Sequence, residues 1–201
     1  GPARSFGLAE VTVEPLAFAA TPNDFIKAVA KEAPRGWFPR GFSGEQPYWT
    51  IVGLDGGTQQ GLIGEDGAVE FSKGGISLTP LIMADGQWVT WADVELKQSL
   101  QDGYLPIPSV HWKHPDFGLQ VTSFVRGDDN QSQMLARYQL TNTGSSEKEF
   151  ILALAAQPWQ VNPPTQFLST QGGFSPVRFL SINQGGEVMT DPDGLVEGAL
   201  K

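Results

Sequence analysis

The segment Leu119-Gln120-Val121-Thr122-Ser123-Phe124-Val125-Arg126 decides the fold. Leu119, Val121, Ser123 and Val125 alternate with Gln120, Thr122, Phe124 and Arg126, the period of two required of a strand with differently solvated faces. Met134, Ala136, Tyr138 and Leu140 repeat the spacing a short turn later, so the pattern propagates as a hairpin. Upstream, Val94 and Leu96 lead into an Asp102-Gly103 turn, a proline-constrained loop at 104–108 and a further strand at 110–114. Earlier strand patterns at 48–52, 61–63, 68–71 and 76–83 are separated by Asp55-Gly56-Gly57, Asp66-Gly67 and other turn residues, and Asp85-Gly86 makes another hairpin turn. Downstream, Asn142-Thr143-Gly144 turns into residues 150–156, apolar at every position. That segment predicts a central strand buried between layers, with the core centred on it. A last hairpin is expected where 177–182 and 188–189 flank Gln184-Gly185-Gly186.

One helix interrupts this β pattern. Thr21 suits the cap, Pro22 the first helical position and Asp24 a capping-box-like spacing, while Phe25, Ile26, Val29 and Ala30 form an apolar stripe that Pro34 ends. Before it, Phe6 to Val13 reads as a short strand. After it, residues 34–47 interleave prolines and glycines with Trp37, Phe38 and Phe42, an aromatic connector expected to pack on a sheet. The expected class is therefore mainly β, a two-layer antiparallel β-sandwich with one short N-terminal helix. Residues 1–47 read as a linker carrying a short strand and the helix, and residues 48–201 as the sandwich.

Composition narrows the functions available. The 201 residues hold 13 Lys+Arg against 22 Asp+Glu, a net charge of −9, with no basic cluster beyond Arg35 and Arg40; this argues against nucleic acid as a partner. There is no cysteine, so disulfides and thiolate chemistry are excluded together, and no apolar run reaches the ~20 residues of a membrane span. Neither feature chooses a compartment. His111 and His114 stand three apart in a strand-like segment, which places them on opposite faces and argues against a shared metal. Asp191, Asp193 and Gly194 resemble the start of a calcium loop without its later ligands, so no metal and no cofactor is expected.

A glycoside-cleaving pair needs two carboxyls held across one bond, and Asp102, Asp116, Asp128 and Asp129 are the loop acids available. All stand in turn contexts that favour Asp for backbone reasons, and no serine lies in a nucleophile elbow, so no catalytic residue is expected. The aromatic residues carry the stronger signal, because a sugar's apolar face stacks on Trp while polar neighbours take its hydroxyls. Trp112, and Trp159 with Gln160, Asn162 and Gln166, have that mixture and are the candidate carbohydrate contacts. The alternative is that most of the tryptophans fill the space between two β layers, with Trp49, Trp88 and Trp91 the most core-like.

Three stretches also carry a resemblance: residues 46–57 from Gln46-Pro-Tyr-Trp, residues 103–109 around Tyr104-Leu-Pro-Ile-Pro108, and Pro158-Trp-Gln-Val-Asn-Pro-Pro164. Together they resemble the N-terminal β-supersandwich, of galactose-mutarotase-like type, found in bacterial six-hairpin glycosidase-like proteins such as the cellobiose phosphorylase and glucoamylase groups. Ser5 to Val13 is similar to the closing strand of a factor V/VIII type C, or discoidin, domain. The resemblance implies a non-catalytic accessory domain of a glycoside hydrolase or phosphorylase, partnered by a C-terminal (α/α) toroid of the same polypeptide. That toroid would carry the catalytic carboxylates beyond Lys201, and the loops at 104–109 and 159–166 would rim an oligosaccharide cleft. Such sandwiches usually run longer than residues 48–201, so a truncated edge, and association with another copy through it, is expected. A free-standing carbohydrate-binding module and a purely structural, self-associating sandwich are the alternatives.

Overall fold

The computed structural model describes residues 19–128, 131–177, 179–184, 187–190 and 198–199. The readings made on residues 6–13, on Asp129 and on Asp191 to Gly194 lie outside these. The helix α1 (Pro22–Glu32) starts as its sequence dictates: Thr21 is extended and its hydroxyl accepts the Asp24 N–H, with proline in the first turn.

Two antiparallel sheets form the body. Sheet A runs β1 (Trp49–Gly53), β2 (Gln60–Gly64), β3 (Val69–Glu70), β4 (Ser77–Ala84) and, as shown below, β10 (Phe150–Gln157), with β5 (Gln87–Val89) paired to the far end of β4. Sheet B is a meander of β6 (Glu95–Gln101), β7 (Leu105–Lys113), β8 (Phe117–Arg126) and β9 (Gln133–Asn142). A small third sheet joins β11 (Leu180–Ile182), β12 (Glu187–Thr190) and β13 (Gly198–Ala199). The Asp-Gly hairpins form as expected: Asp85 and Gly86, then Asp102 and Gly103, take positive φ (50° and 74°, 54° and 80°), the left-handed pair of a type I′ turn.

The core lies between the sheets. Val52, Ile63, Val69 and Ile82 from sheet A meet Val110, Trp112, Phe117, Leu119 and Val121 from sheet B in one buried cluster, closed by Trp91 of a short 3₁₀ turn (Trp91–Asp93). Of the three tryptophans read as core, only Trp91 is fully so. Trp88 is 40% exposed and Trp49 half-buried, because both alternate onto the outer side of sheet A.

Two further readings need correction. Residues 150–156 form no central strand among the described residues: there β10 pairs only with β4, sits at the sheet's edge and is half-buried, with Ile151 50% exposed. The core instead centres on β4, β7 and β8. The stretch 104–108 is mostly strand, not loop. Pro106 and Pro108 are tolerated in β7 because its ladder with β8 begins only at Ser109, so their missing N–H groups face no partner there. Pro80 stands in β4 between the stretch paired with β3, which stops at Leu78, and the stretch paired with β5, which starts at Ile82.

The connector at 34–47 does pack on the sandwich. The Arg35 and Arg40 guanidiniums lie 4.5 and 4.1 Å from the Trp91 ring centre, and Glu45 binds both. Gly36, at φ 101°, is required where the chain crosses Thr90, since any Cβ would collide with that side chain.

Candidate functional site

Four of the five singled-out residues gather where the loop at 158–175 folds over one end of the outer face of sheet A. Strand register brings Ile51, Leu62, Glu70, Ser77 and Gln157 side by side across that face. Ile51 at the edge is 55% exposed, whereas Glu70 is a carboxylate at 1% exposure. Its oxygens accept three backbone N–H groups: Gly74 at 2.9 Å, Val161 at 2.8 Å and Asn162 at 3.3 Å. One side chain therefore ties the β3–β4 turn to the long loop. Burial pushes its pKa up to about 7 against the pull of those donors, which favour the charged form. Asp66 and Glu65, on the adjoining β2–β3 hairpin, are also raised by burial, opposed respectively by the Ala68 N–H and by Arg40.

The candidate sugar contacts are placed as follows. Trp112 is 1% exposed in the inter-sheet core, and its indole N–H donates to the Asp66 carbonyl at 2.9 Å; neither ring face is open to a ligand. Gln160 is buried and its amide nitrogen donates to the carbonyls of Gln171 and Phe174, which closes the loop on itself. Asn162 is buried beside Glu70, with neither amide atom hydrogen-bonded. Trp159 is half-buried, tilted against Phe38 at 5.3 Å and edge-on to Phe42 at 6.1 Å, while its N–H donates to Gln157. Gln166 is half-buried at the loop's turn, where its backbone N–H donates to the Pro163 carbonyl. Thus Trp159, Gln160, Asn162 and Gln166 do share one loop, and Trp112 lies apart from them in the core.

The loop is held from a second side by α1. Asn23 donates to the Gly172 carbonyl at 2.9 Å and accepts the Phe174 N–H at 2.7 Å, and Gly173, at φ 92°, leaves room for that side chain. Two small cavities lie under the loop, about 20 Å³ bordered by Arg40, Asp66, Ser77 and Gln160, and about 10 Å³ bordered by Glu70, Lys73, Gln160 and Asn162. Each has room for about one water and none for a sugar ring. The unsatisfied Ser77 hydroxyl, Gln160 carbonyl and Asn162 amide are suitable partners for such water.

The loop acids do not all lie together. Asp102 and Asp128 stand at one end of sheet B, and Asp116 at the other, ion-paired with Lys148 at 3.0 Å. His111 donates to or accepts from Ser99 on the outer face of sheet B, while His114 stacks on Phe117. What sequence reading missed is Glu70. Its signal was an acid between Val69 and Phe71 within the apolar pattern at 68–71.

No family model matches this chain, nor does any curated protein or solved structure.

Proposed function

We propose that the chain is a non-catalytic accessory β-sandwich domain of a larger carbohydrate-active enzyme, a glycoside hydrolase or phosphorylase of the six-hairpin type, and that it shapes the rim of a substrate cleft. The observation that carries this reading is the loop at 158–175. Polar groups from three elements, the buried Glu70 and Gln160 and the half-buried Asn23, fix its backbone, yet Phe167 at its tip is 70% exposed. A rigid backbone holding an aromatic face in solvent is the construction a cleft wall needs. Tyr104, 75% exposed at the β6–β7 hairpin, offers a second such face. Asp116, at the opposite end of sheet B from Asp102 and Asp128 and ion-paired with Lys148, cannot share one bond with either, which favours a supporting over a catalytic role for it.

The native reading frame beyond Lys201 tests this proposal. Helical-hairpin repeats bearing paired acidic residues are expected there; a stop codon or an unrelated domain overturns it. A free-standing carbohydrate-binding module is the second reading, favoured by the same exposed Phe167 and Tyr104. It requires that an oligosaccharide bind the chain alone and that Phe167→Ala or Tyr104→Ala abolish that binding.

A further inference from the structure

The free edge of sheet A carries an inference independent of the functional reading. β10 pairs with β4 along all eight of its residues, without a bulge. Among the described residues, no backbone group of 150–157 bonds to anything on the other side. Exposed edges are ordinarily blunted by a lysine, a proline, a bulge or short length. Phe150-Ile-Leu-Ala-Leu-Ala-Ala-Gln157 has none of these, and no charge. Its inner residues Phe150 and Leu152 pack on the core, while Ile151, Ala153 and Ala155 face outward. Ile151 and its row neighbours Met83 and Trp88 make an apolar strip there, with Ile151 50% and Trp88 40% exposed.

We propose that β10 pairs antiparallel with β10 of a second copy of this chain across a two-fold axis at Ala153, joining two A sheets into one. The strand is self-complementary about that point. Phe150 falls opposite Ala156, Ile151 opposite Ala155 and Leu152 opposite Leu154, while Ala153 meets itself. Residues equidistant from Ala153 point to the same face, so inner residues meet inner and outer meet outer, as an antiparallel ladder requires. At the two outer pairs a large side chain meets a small one, which fills the seam without a clash. Charge does not oppose the contact despite the −9 of each copy. The nearest lysine, Lys148, is occupied by Asp85 and Asp116 at 2.9 and 3.0 Å, and Glu149 falls opposite Gln157 rather than another acid. An isologous contact of this kind closes after two subunits.

The absence of cysteine gives a direct test. In an Ala153→Cys variant the only thiols of the two copies sit opposite each other, at the roughly 4.5–5.5 Å Cα separation of directly opposed antiparallel residues, which is inside the Cα range a disulfide spans. Mild oxidation is expected to convert this variant to a covalent dimer, whereas Lys97→Cys, exposed on β6, stays monomeric under the same conditions. Sedimentation velocity should show a wild-type dimer, and Ala153→Lys, which opposes two ammonium groups, should give a monomer with an unchanged circular-dichroism spectrum. A wild-type monomer at every concentration, a dimer that Ala153→Lys leaves intact, or failure of the Ala153→Cys thiols to cross-link overturns the proposal.

Discussion

Glu70 shows how one side chain fixes the architecture around the candidate site. A carboxylate whose folded pKa lies near 7, above its ordinary 4.5, binds its proton more tightly in the native than in the unfolded state. Between those two values the native state holds more protons, so stability falls as pH rises from about 4.5 to about 7 and then levels off. The loss attributable to Glu70 is about 3 kcal/mol at most. Urea denaturation across that range should show the decline, and Glu70→Gln should flatten it in part, with Asp66 and Glu65 supplying the remaining slope. A Glu70→Gln profile parallel to wild type would contradict the assignment. Trp112 is the opposite case, a residue whose chemistry suggested a ligand and whose position is core. Trp112→Ala should cost about 3–5 kcal/mol of stability, because it opens a cavity between the sheets and leaves the Asp66 carbonyl unpaired.

Among the elements, the helix was readable because its signals are local: a cap, a proline in the first turn and a stop at Pro34. Thr21→Ala should lower stability by about 1 kcal/mol in denaturant titration. What holds the helix in place was not readable, since the Asn23 bonds to Gly172 and Phe174 span about 150 positions. Asn23→Ala removes both and strands the Phe174 N–H, so a loss of about 1–3 kcal/mol is expected, with faster amide exchange at residues 171–174. The Asp-Gly turns and alternating strands of sheet B were legible for the same reason as the helix. β10 was not, because periodicity reports that both faces of a strand are apolar but not whether anything covers them. Likewise the prolines at 106 and 108 read as a loop, although they occupy a stretch of β7 that the β8 ladder has not yet reached. Glu70 escaped notice because its three partners are backbone amides, which no side-chain motif encodes.

As a whole, the molecule spends its polar interior on holding two sheets, a connector and a long loop together. Its candidate recognition features lie outside: the aromatic tips Phe167 and Tyr104, and the uncharged edge of β10. Such a division suits a domain that supports or joins. The most direct measurement is an assay of the purified chain for hydrolysis and phosphorolysis of a broad oligosaccharide panel. The account predicts no turnover of any member. Turnover that is abolished by replacing Asp102, Asp116 or Asp128 with asparagine would contradict it.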